Sequence, residues 1–291
     1  MRELQVKDIL FGAAYYPEYM PYDRLQEDIA MMQKAGMNTI RIAESTWSTL
    51  EPAEGVYDFS YIDKALAAAE EAGMYVIIGT PTYAIPSWLE KKCPEVMVFD
   101  GYSRKKYGKR QIMDIVHPVF RKCAENVICK LLEHTANVSC VIGFQIDNET
   151  KHYGTASPQV QRMFVEYLKT KFHTTEQLNE VFGLRYWSNS ISDWSDFPDM
   201  AGCIHGGLAC EFAKFQRSLA AEYLVWQSEL VKKYKRQDQF ITHNFDFEWK
   251  KFGADIAQDG YSYGVQPDIN HYEASKAVTI AGTDIYHPTQ D

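Results

Sequence analysis

At 291 residues the chain suits one α/β barrel of roughly 250 residues as well as two domains of roughly 150. An apolar content of 46% with 24% charged residues is enough to bury a full core, which excludes a disordered or fibrous chain. The 30 basic residues against 39 acidic ones leave a net charge of −9, and no Lys/Arg block stands out, so a nucleic-acid backbone is excluded as the natural partner.

The first twenty residues carry Glu3 and Asp8 and lack a long apolar stretch with a cleavage site. Nowhere do eighteen consecutive apolar residues occur. The reading is a cytoplasmic protein with no membrane partner. Leu10 to Tyr16 is a short apolar run that reads as a strand. Asp23 then caps a helix with Leu25, Ile29 and Met32 on one face, closed by Gly36. Thr39 to Ala43 is the second strand. Ser60 and Asp63 open a helix bearing Ile62, Leu66 and Ala69, Gly73 ends it, and Tyr75 to Thr80 is the third strand. Repeated βα units with short apolar strands imply a parallel sheet covered by helices.

A long connection follows, through Pro81, Pro86, Pro94 and the basic stretch from Arg104 to Arg110, before a helix from about Pro118 to Thr135. Loops of this kind after a strand carry function disproportionately. Val141 to Ile146 is the fourth strand and ends in Asp147-Asn148-Glu149. A largely helical excursion runs from Pro158 to Tyr234, Phe240 to Phe245 is the fifth strand, and Thr283 to Tyr286 the last. The six cysteines are scattered with no C-x-x-C pair, and read as reduced and mostly buried rather than as a zinc site or a disulfide framework.

Strand parity points to a lumen. Ile142, Phe144 and Ile146 share one face of the fourth strand, while Gly143, Gln145, Asp147 and, with the strand continued, Glu149 share the other. Ile40 and Ile42 alternate with Thr39, Arg41 and Ala43, and Ile241, His243 and Phe245 alternate with Thr242 and Asn244. Arg41, Asn244 and Glu149 therefore converge near strand C-terminal ends, where barrel enzymes keep their chemistry. Desolvation at such a place raises a carboxylic acid's pKa, which makes Glu149 a candidate proton donor; the alternative is that Asn148 and Glu149 cap the next helix. Arg41 reads as a substrate ligand or as half of a buried ion pair with Glu44. The aromatic share of 14% suits either a sugar-stacking surface or an aromatic core.

Several motifs taken in order are specific. Phe11-Gly12-Ala13-Ala14-Tyr15-Tyr16-Pro17-Glu18, Arg41-Ile42-Ala43-Glu44 with Trp47, and Leu50-Glu51-Pro52 with Glu54-Gly55-Val56-Tyr57-Asp58-Phe59 open the series. Gly79-Thr80-Pro81-Thr82, Pro86-Ser87-Trp88-Leu89, Gln145-Ile146-Asp147-Asn148-Glu149, Tyr186-Trp187-Ser188, Asp193-Trp194 and Thr242-His243-Asn244-Phe245 follow. Nearly the whole chain thus resembles glycoside hydrolase family 42, the β-galactosidases. The resemblance implies a TIM (β/α)8-type barrel of which about six βα units lie in this chain, with residues 1–291 forming an incomplete catalytic barrel domain and a helical insertion at about 150–235. It implies a retaining glycosidase that removes terminal β-D-galactosyl residues from small galactosides or galacto-oligosaccharides. One carboxyl protonates the glycosidic oxygen while a second attacks the anomeric carbon from about 5 Å away.

By the same resemblance Glu149 is the acid/base, Asn148 binds the sugar 2-hydroxyl, and Arg41 stands beside the nucleophile. Arg110 contacts the sugar ring, unless it belongs to a solvated basic loop; Trp187 lines a subsite wall, and Asp284 binds sugar hydroxyls. The nucleophile of the family is a Glu on strand seven, which is not in the chain, so the resemblance implies that this chain alone lacks turnover. Relatives carry cysteines near the barrel mouth that bind a metal; residues 111–118 and 150–159 here have none, so no metal and no cofactor are expected. Assembly as a homo-oligomer, a trimer, is also implied. An α-L-arabinopyranosidase of the same fold and a sugar-binding fragment without turnover are the competing readings.

Overall fold

The structure is a computed structural model that describes residues 9–246, 249–251, 261–263 and 268–284. In chain order the regular elements are β1 (Gly12–Ala14), α1 (Leu25–Lys34), β2 (Thr39–Ile42), α2 (Trp47–Leu50), α3 (Ser60–Glu71), β3 (Tyr75–Gly79), α4 (Ser87–Lys92) and α5 (Pro118–Thr135). They continue with β4 (Val141–Gln145), α6 (Pro158–Phe172), α7 (Thr175–Phe182), α8 (Gly206–Tyr234), β5 (Phe240–Asp246), β6 (Trp249–Lys251), β7 (Tyr261–Tyr263), α9 (His271–Ala274) and β8 (Ile280–Asp284). β1, β2, β3, β4, β5 and β8 pair in that order, all parallel, and β6 with β7 forms a separate antiparallel pair. This is the α/β half-barrel that the alternation of short apolar strands and amphipathic helices implies. Among the described residues β1 and β8 are the sheet's two edges.

The outward faces of the strands make the core. Ile40, Ile42, Val76, Ile78, Phe144 and Ile241 are buried beneath the helices. The parity argument holds for β2 and β5. In β4 a register shift opposite Val76 and Ile77 takes Ile142 out of the alternation, so it is only half-buried between buried Val141 and Gly143. Gly143 has to be a glycine, because a Cβ there would stand 2.6 Å from the Phe240 ring.

Two boundaries move. The first strand is three residues rather than seven, since at the sheet edge it pairs only from Gly12 with Thr39 to Ala14 with Arg41. The last begins at Ile280 rather than Thr283, hidden in the sequence by the small residues Ala281 and Gly282, the glycine standing where a Cβ would meet the His243 carbonyl oxygen at 2.8 Å; residues 285 and 286 lie outside the described residues. The cysteines are free, but only Cys123 and Cys140 are buried, and Cys210 is exposed.

The excursion after β4 is helical, as its pattern predicts. α6 starts at Pro158 with Ser157 capping Val160 N–H, and α7 ends on Gly183 in the left-handed region. Phe164 on α6 packs on Phe197, Phe212 and Phe215 with centroid separations of 5.8, 5.0 and 5.4 Å, so part of the aromatic surplus is core. The Leu50-Glu51-Pro52 string is also structural: the buried Glu51 carboxylate accepts from the Trp47 indole at 2.8 Å and from Gly55 N–H at 2.9 Å.

Candidate active site

The lumen-facing residues of the sheet surround a cavity of about 320 Å³ lined by Arg41, Gln145, Thr242, Asn244, Gly282 and Asp284 among others. Strand alternation brings Arg41, Gln145 and Asn244 there, each near a strand C-terminal end. The Arg41 guanidinium donates from Nε to Glu44 Oε1 at 2.9 Å, and the Tyr16 hydroxyl donates to the same oxygen at 2.7 Å. Burial, reinforced by Glu44, pushes the Tyr16 phenol up to about 12. The Glu44 side chain is fully buried and its Oε2 has no hydrogen-bond partner among the described residues. A Cβ at position 79 would stand 2.6 Å from the Glu44 Cβ, so Gly79 on β3 is what allows this carboxylate to tuck under the strand. Of the two readings of Arg41, the structure supplies the ion pair with Glu44 and also leaves the side chain on the cavity wall, 22% exposed.

Glu149 lies just past β4, and it gets there by a route the alternation does not describe. The strand stops at Gln145, and Asp147 and Glu149 adopt φ values of 47° and 45°, in the left-handed region where side chains other than glycine are uncommon. Asp147 is therefore turned away from the lumen and fully buried. Nor do Asn148 and Glu149 open the next helix, which starts only at Pro158. Instead the Glu149 N–H donates to Asn244 Oδ1 at 3.3 Å, and Asn244 Nδ2 donates to Asn148 Oδ1 at 2.9 Å and to Asp284 Oδ2 at 2.7 Å. Gln111 Nε2 closes the other side by donating to the carbonyls of Asn148 and Glu149 at 3.1 and 3.3 Å.

Four of the six sequence-predicted residues, Asn148, Glu149, Arg41 and Asp284, thus meet at one rim. Arg110 reaches it from the basic loop with a guanidinium nitrogen 3.7 Å from Glu149 Oε2, while 61% of its side chain stays in solvent, a separation and exposure at which an ion pair contributes little to stability. Trp187 is not brought in: it sits on the excursion's surface, 68% exposed, with its ring 5.5 Å from Tyr186. Neutral amides, a carboxyl and a guanidinium converging on Glu149 can hold sugar hydroxyls and move a proton to a departing oxygen.

Residues to which the sequence reading gave no role at the site support this rim from beneath. The Asp147 N–H donates to the Thr80 hydroxyl at 2.6 Å, which donates to Gln227 Oε1 at 2.6 Å; Gln227 Nε2 donates to the Thr82 hydroxyl at 2.8 Å, which donates to Asp147 Oδ1 at 2.6 Å. Thr150 donates to the other Asp147 oxygen. Each donor in this ring points the same way around. The hydroxyls oppose but do not offset burial, which pushes the Asp147 carboxyl up to about 6.

A raised carboxyl is favoured in its protonated form by the fold, so its ionisation costs stability as pH rises from the unfolded value of 3.8 through about 6. In Asp147→Asn that cost is gone. The stability of the variant relative to the wild type should therefore climb by on the order of 3 kcal/mol between pH 3.8 and pH 6, read from urea unfolding at a series of pH values. A pH-independent difference would show that Asp147 is not held protonated by burial.

The comparisons with known proteins agree with this fold. Residues 14–287 match the family profile described as beta-galactosidase, glycoside hydrolase family 42. The chain is 31% identical over 252 residues to the beta-galactosidase BgaA of a Thermus species, covering 81% of this chain and 38% of that protein. It is 31% identical to BglY, a beta-galactosidase of Alicyclobacillus acidocaldarius, over 97% of this chain and 39% of that one. Among solved structures, a catalytic mutant of the family 42 beta-galactosidase Gan42B from G. stearothermophilus superposes with a TM-score of 0.87 at 25% identity, over 99% of this chain and 42% of the other. The chain spans about two fifths of the length of these relatives. It is a member of glycoside hydrolase family 42, the β-galactosidase family.

Proposed function

We propose that this chain carries the acid/base half of a retaining β-galactosidase site and acts on terminal β-D-galactosyl residues of small galactosides. The observation that supports it most is the strand-end Asn148-Glu149 pair, held by Asn244 and Gln111 on the rim of the Arg41- and Asp284-lined cavity. In this reading Glu149 protonates the glycosidic oxygen and later draws a proton from water. Asn148 offers its amide to the sugar 2-hydroxyl, and Asp284 accepts from sugar hydroxyls. Arg110 and Arg41 supply positive charge on either side, Arg41 at the place where the attacking carboxylate works. That attacking group is the family's strand-seven glutamate, and the described sheet has six strands. Residues 1–291 are then catalytic barrel, with residues 150–235 as an insertion on which Trp187 forms an outer subsite. A cytoplasmic homo-oligomer is part of the same proposal; among the described residues no helix is long and apolar enough to cross a membrane.

The test is a panel of nitrophenyl glycosides, run on this chain and on the longest reading frame that contains it. We expect the β-D-galactoside to be the best substrate of the active form, with retained anomeric configuration by NMR. Preference for the α-L-arabinopyranoside would change the sugar while keeping the chemistry. No hydrolysis of any member in either form, with galactose still bound, would make this a sugar-binding protein.

A further inference from the structure

We propose that His243 is a positioning residue for Glu149: its neutral imidazole, protonated on Nδ1, clamps both ends of the turn from Ile146 to Thr150 and thereby fixes where the Glu149 carboxyl stands. The catalytic meaning of this inference rests on the acid/base reading of Glu149, but its test does not require turnover.

The β4–β5 ladder runs as far as the Ile146 N–H, which donates to the Thr242 carbonyl at 2.9 Å. Beyond it the backbone leaves the strand, and side chains of the next two β5 residues take over the pairing. His243 Nδ1 lies 2.7 Å from the Ile146 carbonyl oxygen, and the Thr150 N–H donates to His243 Nε2 at 3.3 Å. Asn244 takes the Glu149 N–H between them.

A carbonyl can only accept and an amide N–H can only donate, so these two partners assign the ring: Nδ1 carries the proton and Nε2 is bare. The other tautomer would set two acceptors together at one end and two donors at the other. An imidazolium would place an Nε2 proton against the Thr150 N–H. The surroundings favour the neutral ring, because His243 has no exposed surface and burial pushes its pKa down to about 4, with His271 and Arg41 adding to that and the Ile146 hydrogen bond and Asp284 opposing it. The ring is wedged edge-to-face against Phe245, at 4.8 Å and 75°.

The need for a clamp is visible in the segment it spans. Asp147 and Glu149 both have positive φ, a conformation that persists in such residues only where the surroundings over-determine it. Two left-handed residues flanking Asn148 make the direction of the Glu149 side chain sensitive to small rotations on either side. Asp147 is held from below by Thr82 and Thr150, and Gln111 holds the two carbonyls. His243 ties Ile146 at the start of the turn to Thr150 at its end.

The experiment is NMR on the full 291-residue chain. With 15N-labelled histidine, the His243 ring, assigned by its loss in His243→Phe, should show the Nδ1–H neutral tautomer at pH 6. With 13C-labelled glutamate, the Glu149 carboxyl, assigned by Glu149→Gln, should move its titration midpoint by about 0.5 pH unit or more in His243→Phe. That variant keeps the ring's bulk and its packing on Phe245 while removing both hydrogen bonds. His243→Gln, whose Oε1 can still accept from Thr150 N–H, should restore part of the shift. A residue that merely filled space would alter the melting temperature and leave the Glu149 titration where it was. An Nε2–H tautomer or an imidazolium at pH 6, or an unmoved Glu149 in folded His243→Phe, would overturn the proposal. If the phenylalanine variant does not fold, the wild-type tautomer and the His243→Gln titration decide it. Failure of the glycoside panel leaves both readouts intact, so the two readings fail separately.

Discussion

Glu149→Gln should lower kcat/KM by about 10²–10⁴-fold on galactosides with alkyl or sugar leaving groups, in the form of the protein that hydrolyses them. Glutamine has nearly the same shape, and the backbone bonds that place residue 149, from its N–H to Asn244 and from Gln111 to its carbonyl, do not involve the carboxyl. What is lost is the proton. An alkoxide is a poor leaving group and needs protonation as the bond breaks, whereas a dinitrophenolate leaves without it. The glycosylation step with the dinitrophenyl substrate should therefore be close to normal, and the fold-loss should grow with the pKa of the leaving group. Equal losses across a leaving-group series would rule out general-acid catalysis by Glu149 and assign the residue a binding role.

Arg41→Met is expected to be the most destabilising single change at the site, at about 3–5 kcal/mol, a large part of the 5–15 kcal/mol that typically separates folded from unfolded states. Its partner Glu44 has no exposed side-chain surface and an Oε2 already without a hydrogen bond among the described residues. Removing the guanidinium leaves that carboxylate with the Tyr16 hydroxyl as its remaining donor among the described residues. The reverse change, Glu44→Met, should cost less, because Arg41 is 22% exposed and borders the cavity, where water can solvate it. The double variant should be less destabilised than the sum of the two, since the orphaned ion is then absent from both sides. Urea midpoints for the three variants check this. If Glu44→Met proves the more damaging, the buried carboxylate is held by contacts other than Arg41.

Much of this protein is legible from residues a few positions apart. A period of two in Thr39 to Ile42 and in Phe240 to Phe245 places Arg41 and Asn244 on the lumen face, because successive side chains on a strand must alternate. A period near 3.6 between glycines and caps yields α1, α3 and α5, with Arg41 and Glu44 close enough in sequence for their pairing to be anticipated. The position of Glu149 at the end of a strand, and of Asn148 before it, is likewise local information.

Tertiary structure decides what happens from Asp147 to Thr150. Alternation carried through Gln145 would aim Asp147 at the lumen, but the chain turns left-handed there and Asp147 is buried, because hydroxyls on the β3 loop and an amide on α8 close a ring around it. The Thr80–Gln227 bond in that ring joins residues 147 positions apart, and the His243 contacts span 93 and 97. No periodicity carries such information, since each partner obeys the pattern of its own strand or helix and meets the other only when the sheet curls. The same holds for Trp187, whose place on the surface of the excursion depends on how α6 and α8 pack through Phe164 rather than on its own neighbours. Sequence by itself determined the half-barrel and which carboxyl stands at its rim. How that carboxyl is held was decided by side-chain hydrogen bonds between neighbouring strands far apart in sequence, which replace a backbone ladder that the left-handed turn cannot continue.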